Sequence, residues 1–312
     1  MAGSVLITGG SGFLGANLCK AMADAGWTVY AGSRRPSGSD RLAILCPEAE
    51  RHVLDLTKNA EAITDAVMRL SPDVIIHCAA YGVDFREDNP AQAVAVNVQG
   101  AAALVAAAAA TNVTRVVHIG TSNEYGFANG LISELTPLNP SGIYGSTKAA
   151  GLLVARERAR TLAVPFVAAR VFGMYGPLEG EHKFVPHVMR AARTGASVEL
   201  TAGEQVRDYT YVGDVAQACV LMASGAGQNL DVINLASGRP VTLREMGEAA
   251  AQAGGGHASL LWGSTPYRPG EPMSVRVDPA MARHALGWEA STSLADGMTL
   301  TAHYEMLRST TQ

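Results

Sequence analysis

Tyr144 and Lys148 stand four residues apart in "SGIYGSTKAA", which places a phenol and an ammonium on one face of a helix. A phenol, with an ordinary pKa of about 10, trades protons near neutrality only where its phenolate is stabilised, and a neighbouring ammonium does that. Upstream, "HIGTSNEYG" leaves an apolar strand with Thr121 and Ser122 placed to reach the same cleft. A hydroxyl at Thr121 would hold a substrate oxygen against the phenol. Together Thr121, Tyr144 and Lys148 point to proton transfer coupled to hydride exchange, with Lys148 also holding a nicotinamide ribose.

A second constellation supplies the cofactor. In "VLITGGSGFLG", an apolar run ends in Gly9, Gly12 and Gly15. Such a turn lets the backbone approach a pyrophosphate, which the N-terminus of a helix from Phe13 attracts. The position after the second strand where a carboxylate would bind ribose hydroxyls falls at Ser33, followed by Arg34 and Arg35. A guanidinium pairs with a 2′-phosphate, so the spacing predicts NADP(H), with NAD(H) as the alternative. Asp55, after "RHVL", reads as an adenine contact or as an ordinary turn or cap residue.

These residues need a scaffold that brings strand ends together. Apolar runs "SVLIT", "WTVYAGS", "RHVLDL", "DVIIHCAA", "RVVHIGTS" and "PFVAARVF" alternate with helical stretches at 13–25, 59–70, 91–111 and 144–163. That alternation predicts an α/β fold, a Rossmann-type doubly wound parallel sheet, with residues 1–172 as its dinucleotide-binding domain. "RDYTYVGD" and "LDVINLAS" read as later strands, so 207–236 should return to that domain. Residues 173–206 and 237–312 are expected to form a smaller, interleaved lobe. The alanine-rich segment 101–110 reads as a closely packed helix.

Composition limits the partners. The chain has 312 residues, 48% hydrophobic and 17% charged, with a formal net charge of -4 and no basic block, which argues against a nucleic-acid surface. Four scattered cysteines suggest neither a disulfide framework nor a metal site. No leader and no bilayer-spanning run of about 18 apolar residues is read, so a cytoplasmic location is expected.

"TGGSGFLG", "DL" at 55–56, "HCAA", "NVQG" at 97–100, the Thr121, Tyr144 and Lys148 set, "YGP" and "RDYTYVGD" together resemble the extended short-chain dehydrogenase/reductase family, nucleotide-sugar branch. The resemblance implies that Gly9, Gly12, Phe13, Leu14, Asp55, Leu56, Ala79, Ala80 and Asn97 line or shape the cofactor pocket, and that the second lobe takes a nucleoside diphosphate sugar. Arg207 and Arg268, with Lys183, match positions where relatives set cations against the diphosphate, while Gly173 replaces an asparagine common there. Tyr81, Ser122, Asn123 and Glu124 are expected around the sugar. Dehydratases of the branch carry acidic residues just after the catalytic threonine, where this chain has Ser122 and Asn123, so elimination of water is disfavoured. A reductase of a 4-keto-6-deoxy sugar nucleotide is the favoured expectation and a 4-epimerase the alternative. A 4,6-dehydratase and a non-catalytic dinucleotide sensor rank below them. A homodimer built on helices 91–111 and 144–163 is also expected.

Overall fold

In the computed structural model, which describes residues 3–34, 40–84, 86–128 and 130–310, the apolar runs become one parallel sheet of seven strands. These are β1 (Ser4–Thr8), β2 (Thr28–Ser33), β3 (Glu50–Val53), β4 (Val74–His77), β5 (Arg115–Thr121), β6 (Phe166–Val171) and β7 (Val232–Leu235). Their spatial order, β7-β6-β5-β4-β1-β2-β3, reverses between β1 and β4. In such a sheet a ligand site opens at this reversal, beyond the carboxyl ends of the strands. Val5, Leu6, Ile7, Ile75 and Ile76 are fully hidden, as continuous apolar strands covered on both faces require.

Helices Phe13–Asp24 and Val212–Ala223 cover one face, and Ala60–Leu70, Pro90–Ala109 and Gly142–Thr161 the other. Pro90–Ala109 is one continuous helix with a π turn at Ala95–Gly100. By length and composition alone it could cross a bilayer, contrary to the expectation that no such run exists. Its Leu104, Val105 and Ala108 are instead buried with Leu6, Ile75 and Ala155, which marks it as a core helix.

"RDYTYVGD" adds no strand to the sheet. Val206–Arg207 pairs antiparallel with Val241–Thr242, and Tyr209–Tyr211 pairs parallel with Gly173–Tyr175, before the chain enters Val212–Ala223. Only "LDVINLAS" supplies a sheet strand, β7. A separate cluster, with Val188, Met189, Met246 and Met298, joins helices Phe184–Thr194, Leu243–Ala253 and Leu294–Thr310. Ala282, Leu286, Trp288 and Ala290, from the stretch expected in that lobe, pack into the core of the sheet.

Asp214, the last residue of "RDYTYVGD", ties that stretch down. Its carboxylate accepts from the Thr292 N–H and Oγ1, both at 2.9 Å, and its backbone carbonyl accepts from Trp288 Nε1 at 3.0 Å. Asp214→Ala is expected to lower stability by about 1–3 kcal/mol, because the Thr292 donors lose their acceptor. A urea unfolding midpoint equal to that of the unchanged protein would refute this anchoring role.

Candidate active site

β1 hands over to helix Phe13–Asp24 through the glycine turn. Gly9 sits at φ +69°, and a Cβ on Gly15 would stand 2.0 Å from the Gly9 carbonyl oxygen, so the helix can approach the turn only where residue 15 has no side chain. Gly12 caps this helix without a side-chain hydrogen bond, and the first-turn N–H groups are thus left for an anion. The turn opens on a cleft of about 880 Å³. Gly9, Gly12, Phe13, Leu14, Gly15, Ser33 and Arg34 line one end; Thr121, Ser122, Asn123, Tyr144 and Lys148 line the other; Ala79, Ala80 and Tyr81, after β4, lie between, and Leu56 also belongs to the lining. Bare backbone and helix N-terminus at one end, a long channel and proton-transfer groups at the other fit an extended dinucleotide. Arg35 lies outside the described residues.

Helix Gly142–Thr161 delivers the phenol and the ammonium from one face. Lys148 is only 2% exposed, and its Nζ donates to the Ile119 carbonyl at 2.6 Å. Burial pulls the ammonium's pKa down, against the opposing charge of Glu124. Burial pushes Tyr144 up to about 12; the Thr121 hydroxyl opposes the rise, and Glu124 adds to it. The spacing had implied a phenol made more acidic by Lys148. In the protein alone desolvation prevails, because the charged form has lost its water.

Several expected ligand residues serve the scaffold instead. Glu124 is 0% exposed and absent from the cleft wall, which corrects its expected place beside the sugar. The chain turns at Ser122–Glu124, and the Glu124 Oε1 reaches back to accept from the Thr121 N–H at 2.9 Å while Oε2 accepts from Arg170 Nε at 2.7 Å. Asn97, expected at the cofactor, is buried outside the lining. Its Oδ1 accepts from the Tyr81 N–H at 2.8 Å, and its Nδ2 donates to the Tyr81 carbonyl at 2.8 Å and to Thr147 Oγ1 at 2.9 Å. It thereby clamps the Tyr81 loop to the helix that carries Tyr144. Asp55 Oδ1 accepts from the Thr57 N–H and hydroxyl, which is the local turn role, and Asp55 is not among the residues that line the cleft.

The expected diphosphate cations are not gathered on this wall either. Arg207 is paired with Glu271 at 2.8 Å, Lys183 caps helix Phe184–Thr194, and Arg268 is exposed. Reasoning from sequence passed over Cys78, Gly82, Val83 and Met174, which do line the cleft. "HCAA" had pointed at its alanines alone. It also passed over Arg170, whose signal was a cation inside the apolar run "PFVAARVF".

The sequence profile of the NAD dependent epimerase/dehydratase family matches residues 5–236. Over 314 residues the chain is 30% identical to the low-salt glycan biosynthesis protein Agl12 of Haloferax volcanii, covering 96% of this chain and 97% of that one. It is 28% identical to a dTDP-glucose 4,6-dehydratase of Streptomyces niveus, over 96% and 92% of the two chains. The crystal structure of Thermus thermophilus UDP-glucose 4-epimerase complexed with NAD superposes with a TM-score of 0.84 at 26% identity, over 97% of this chain and 99% of that one.

The glycine turn can be tested without a substrate. Gly15→Ala is expected to weaken dinucleotide binding at least about tenfold, since even a partly accommodated Cβ displaces the backbone that cradles the pyrophosphate. Calorimetric titration with reduced and oxidised cofactor would check this on a variant whose circular dichroism is unchanged. Equal affinities would remove the turn from the binding site.

Proposed function

The chain belongs to the NAD-dependent epimerase/dehydratase family, and within it we propose an NADPH-dependent reductase of a 4-keto-6-deoxy nucleoside diphosphate sugar. The observation that carries this reading is the wall after Thr121: Ser122 and Asn123 face the cleft, while the nearby carboxylate of Glu124 is withdrawn into a buried ion pair. Eliminating water from a sugar needs an acid and a base beside the phenol. A serine hydroxyl and an asparagine amide do not exchange protons near neutrality. Proton transfer at the carbon that exchanges hydride is what remains.

When bound, the nicotinamide supplies the hydride. Thr121 holds the sugar carbonyl oxygen, and Tyr144 gives it a proton as negative charge develops there. Lys148 stabilises the phenolate left behind, and bulk solvent restores its proton. Arg34, lining the cleft beside Ser33, supports NADP(H), because a 2′-phosphate would meet a guanidinium there. Likeness to a UDP-glucose 4-epimerase complexed with NAD favours the second reading, a 4-epimerase that takes hydride and returns it to the other face. On either reading Arg207, Arg268 and Lys183 are proposed for the substrate diphosphate, which must then compete with Glu271 for Arg207. Exposed Val94, Leu153 and Val154, on helices Pro90–Ala109 and Gly142–Thr161, support a homodimer packed through those helices.

Incubation with 4-keto-6-deoxy sugar nucleotides and either reduced cofactor separates the readings. A reductase consumes nicotinamide absorbance in proportion to product; isomerisation without net loss identifies an epimerase. Tyr144→Phe should cut turnover by roughly 10²- to 10⁴-fold while cofactor still binds. Near-normal turnover in that variant would end the assignment. Arg34→Ala should weaken NADPH by about 1.5–3 kcal/mol and leave NADH nearly unchanged, the value of a charge-assisted hydrogen bond. Equal losses for both cofactors would reject the 2′-phosphate role.

A further inference from the structure

Neither Glu124 nor Arg170 is itself part of the cleft lining, yet both side chains are deeply buried, at 0% and 5% exposure. A buried ion pair seldom outperforms a well-packed apolar pair as a source of stability. This one is held on every side. The Arg170 guanidinium lies 4.7 Å over the Tyr125 ring and donates to the Tyr125 hydroxyl at 2.9 Å, which in turn donates to Asn234 Oδ1 at 2.8 Å. A Cβ on Gly120 would stand 2.6 Å from Glu124 Oε1 and 3.3 Å from Arg170 Cγ. The strand has left out a side chain to make room for the carboxylate.

We propose that Glu124, seated by Arg170 and Gly120, is a positioning residue that fixes the Thr121 backbone and sets a buried carboxylate behind the strand end to which Lys148 is bonded, so that its charge acts on the Tyr144 and Lys148 pair. The inference rests on Tyr144 and Lys148 being the proton-transfer pair. The other titratable groups facing them are Cys78, His77 and His118, on or just beyond β4 and β5. Burial holds His77 down at about 3 and His118 well below its ordinary value, so both imidazoles are neutral. Burial also raises the Cys78 thiol to about 12, and it stays protonated. Among these described neighbours Glu124 is the carboxylate, paired with Arg170 at 2.7 Å, and its charge raises the pKa of Lys148 and of Tyr144 alike.

The test removes the charge while keeping the fold. Glu124→Gln retains an acceptor for the Thr121 N–H, and the double variant Glu124→Gln with Arg170→Met leaves no cation stranded. Tyr144 ionisation, read as the ultraviolet difference between each protein and its Tyr144→Phe counterpart, should move to lower pH by about one unit in the double variant. It should move further in Glu124→Gln, where Arg170 is unpaired. The alkaline limb of kcat should shift the same way, with kcat falling more than KM rises. A folded double variant whose Tyr144 transition has not moved overturns the proposal, whatever becomes of Glu124→Gln. The spectroscopic arm needs no substrate, so it still reads if the ketosugar assignment fails. Normal turnover in Tyr144→Phe, by contrast, would sink the assignment of the reaction and leave the ionisation result standing.

Discussion

Burying an ammonium is the constraint around which the cleft is arranged. Lys148 has almost no water, and a charge so placed must be met by groups that are already fixed when it arrives. The sheet provides them by letting one strand outrun its neighbour. β4 and β5 pair only as far as His77 and His118, while β5 continues through Ile119, Gly120 and Thr121. On that overhang lie the carbonyl that takes the ammonium and the threonine that lines the cleft. Continued pairing of β5 with β6, through Gly120 and Thr121, keeps the overhang rigid.

The helix that brings Lys148 must be equally fixed, and Asn97 shows how. Its amide spends its donors and acceptor on the Tyr81 backbone and on Thr147, one residue before Lys148. Loop and helix are thus joined across the cleft floor by one buried side chain, and neither moves without breaking the other's hydrogen bonds.

Much of this was legible beforehand. Six of the seven sheet strands follow from apolar runs between helical stretches, and "LDVINLAS" supplies the seventh. The glycine turn and the Tyr144 and Lys148 spacing are local signals whose geometry a helix fixes. Glu124 was expected around the sugar with its neighbours Ser122 and Asn123, but the chain turns there, just past the end of β5, and carries its carboxylate inward. The three-residue interval from Thr121 to Glu124 is itself the signature of a capping box, and the structure has one there. Arg170 announced itself as a cation in an apolar strand that needed a buried partner. For Arg207, Arg268 and Lys183 no local signal exists, since their placement depends on how distant loops fold over the lobe. The same holds for residues 282–290, whose apolar positions suit either cluster and which Asp214 draws toward the sheet.

The empty place at Gly120 carries a historical consequence. Glu124, Arg170 and the missing side chain at 120 form a lock of three parts, in which any one change strands the other two: a methyl collides with the carboxylate, a lost acid leaves a hidden cation, a lost guanidinium leaves a hidden anion. A lineage could not enter or leave this arrangement by independent single steps without passing through weakened proteins. Sequences that share the Thr121, Tyr144 and Lys148 set should therefore fall into two groups at these three positions, with few hybrids between them.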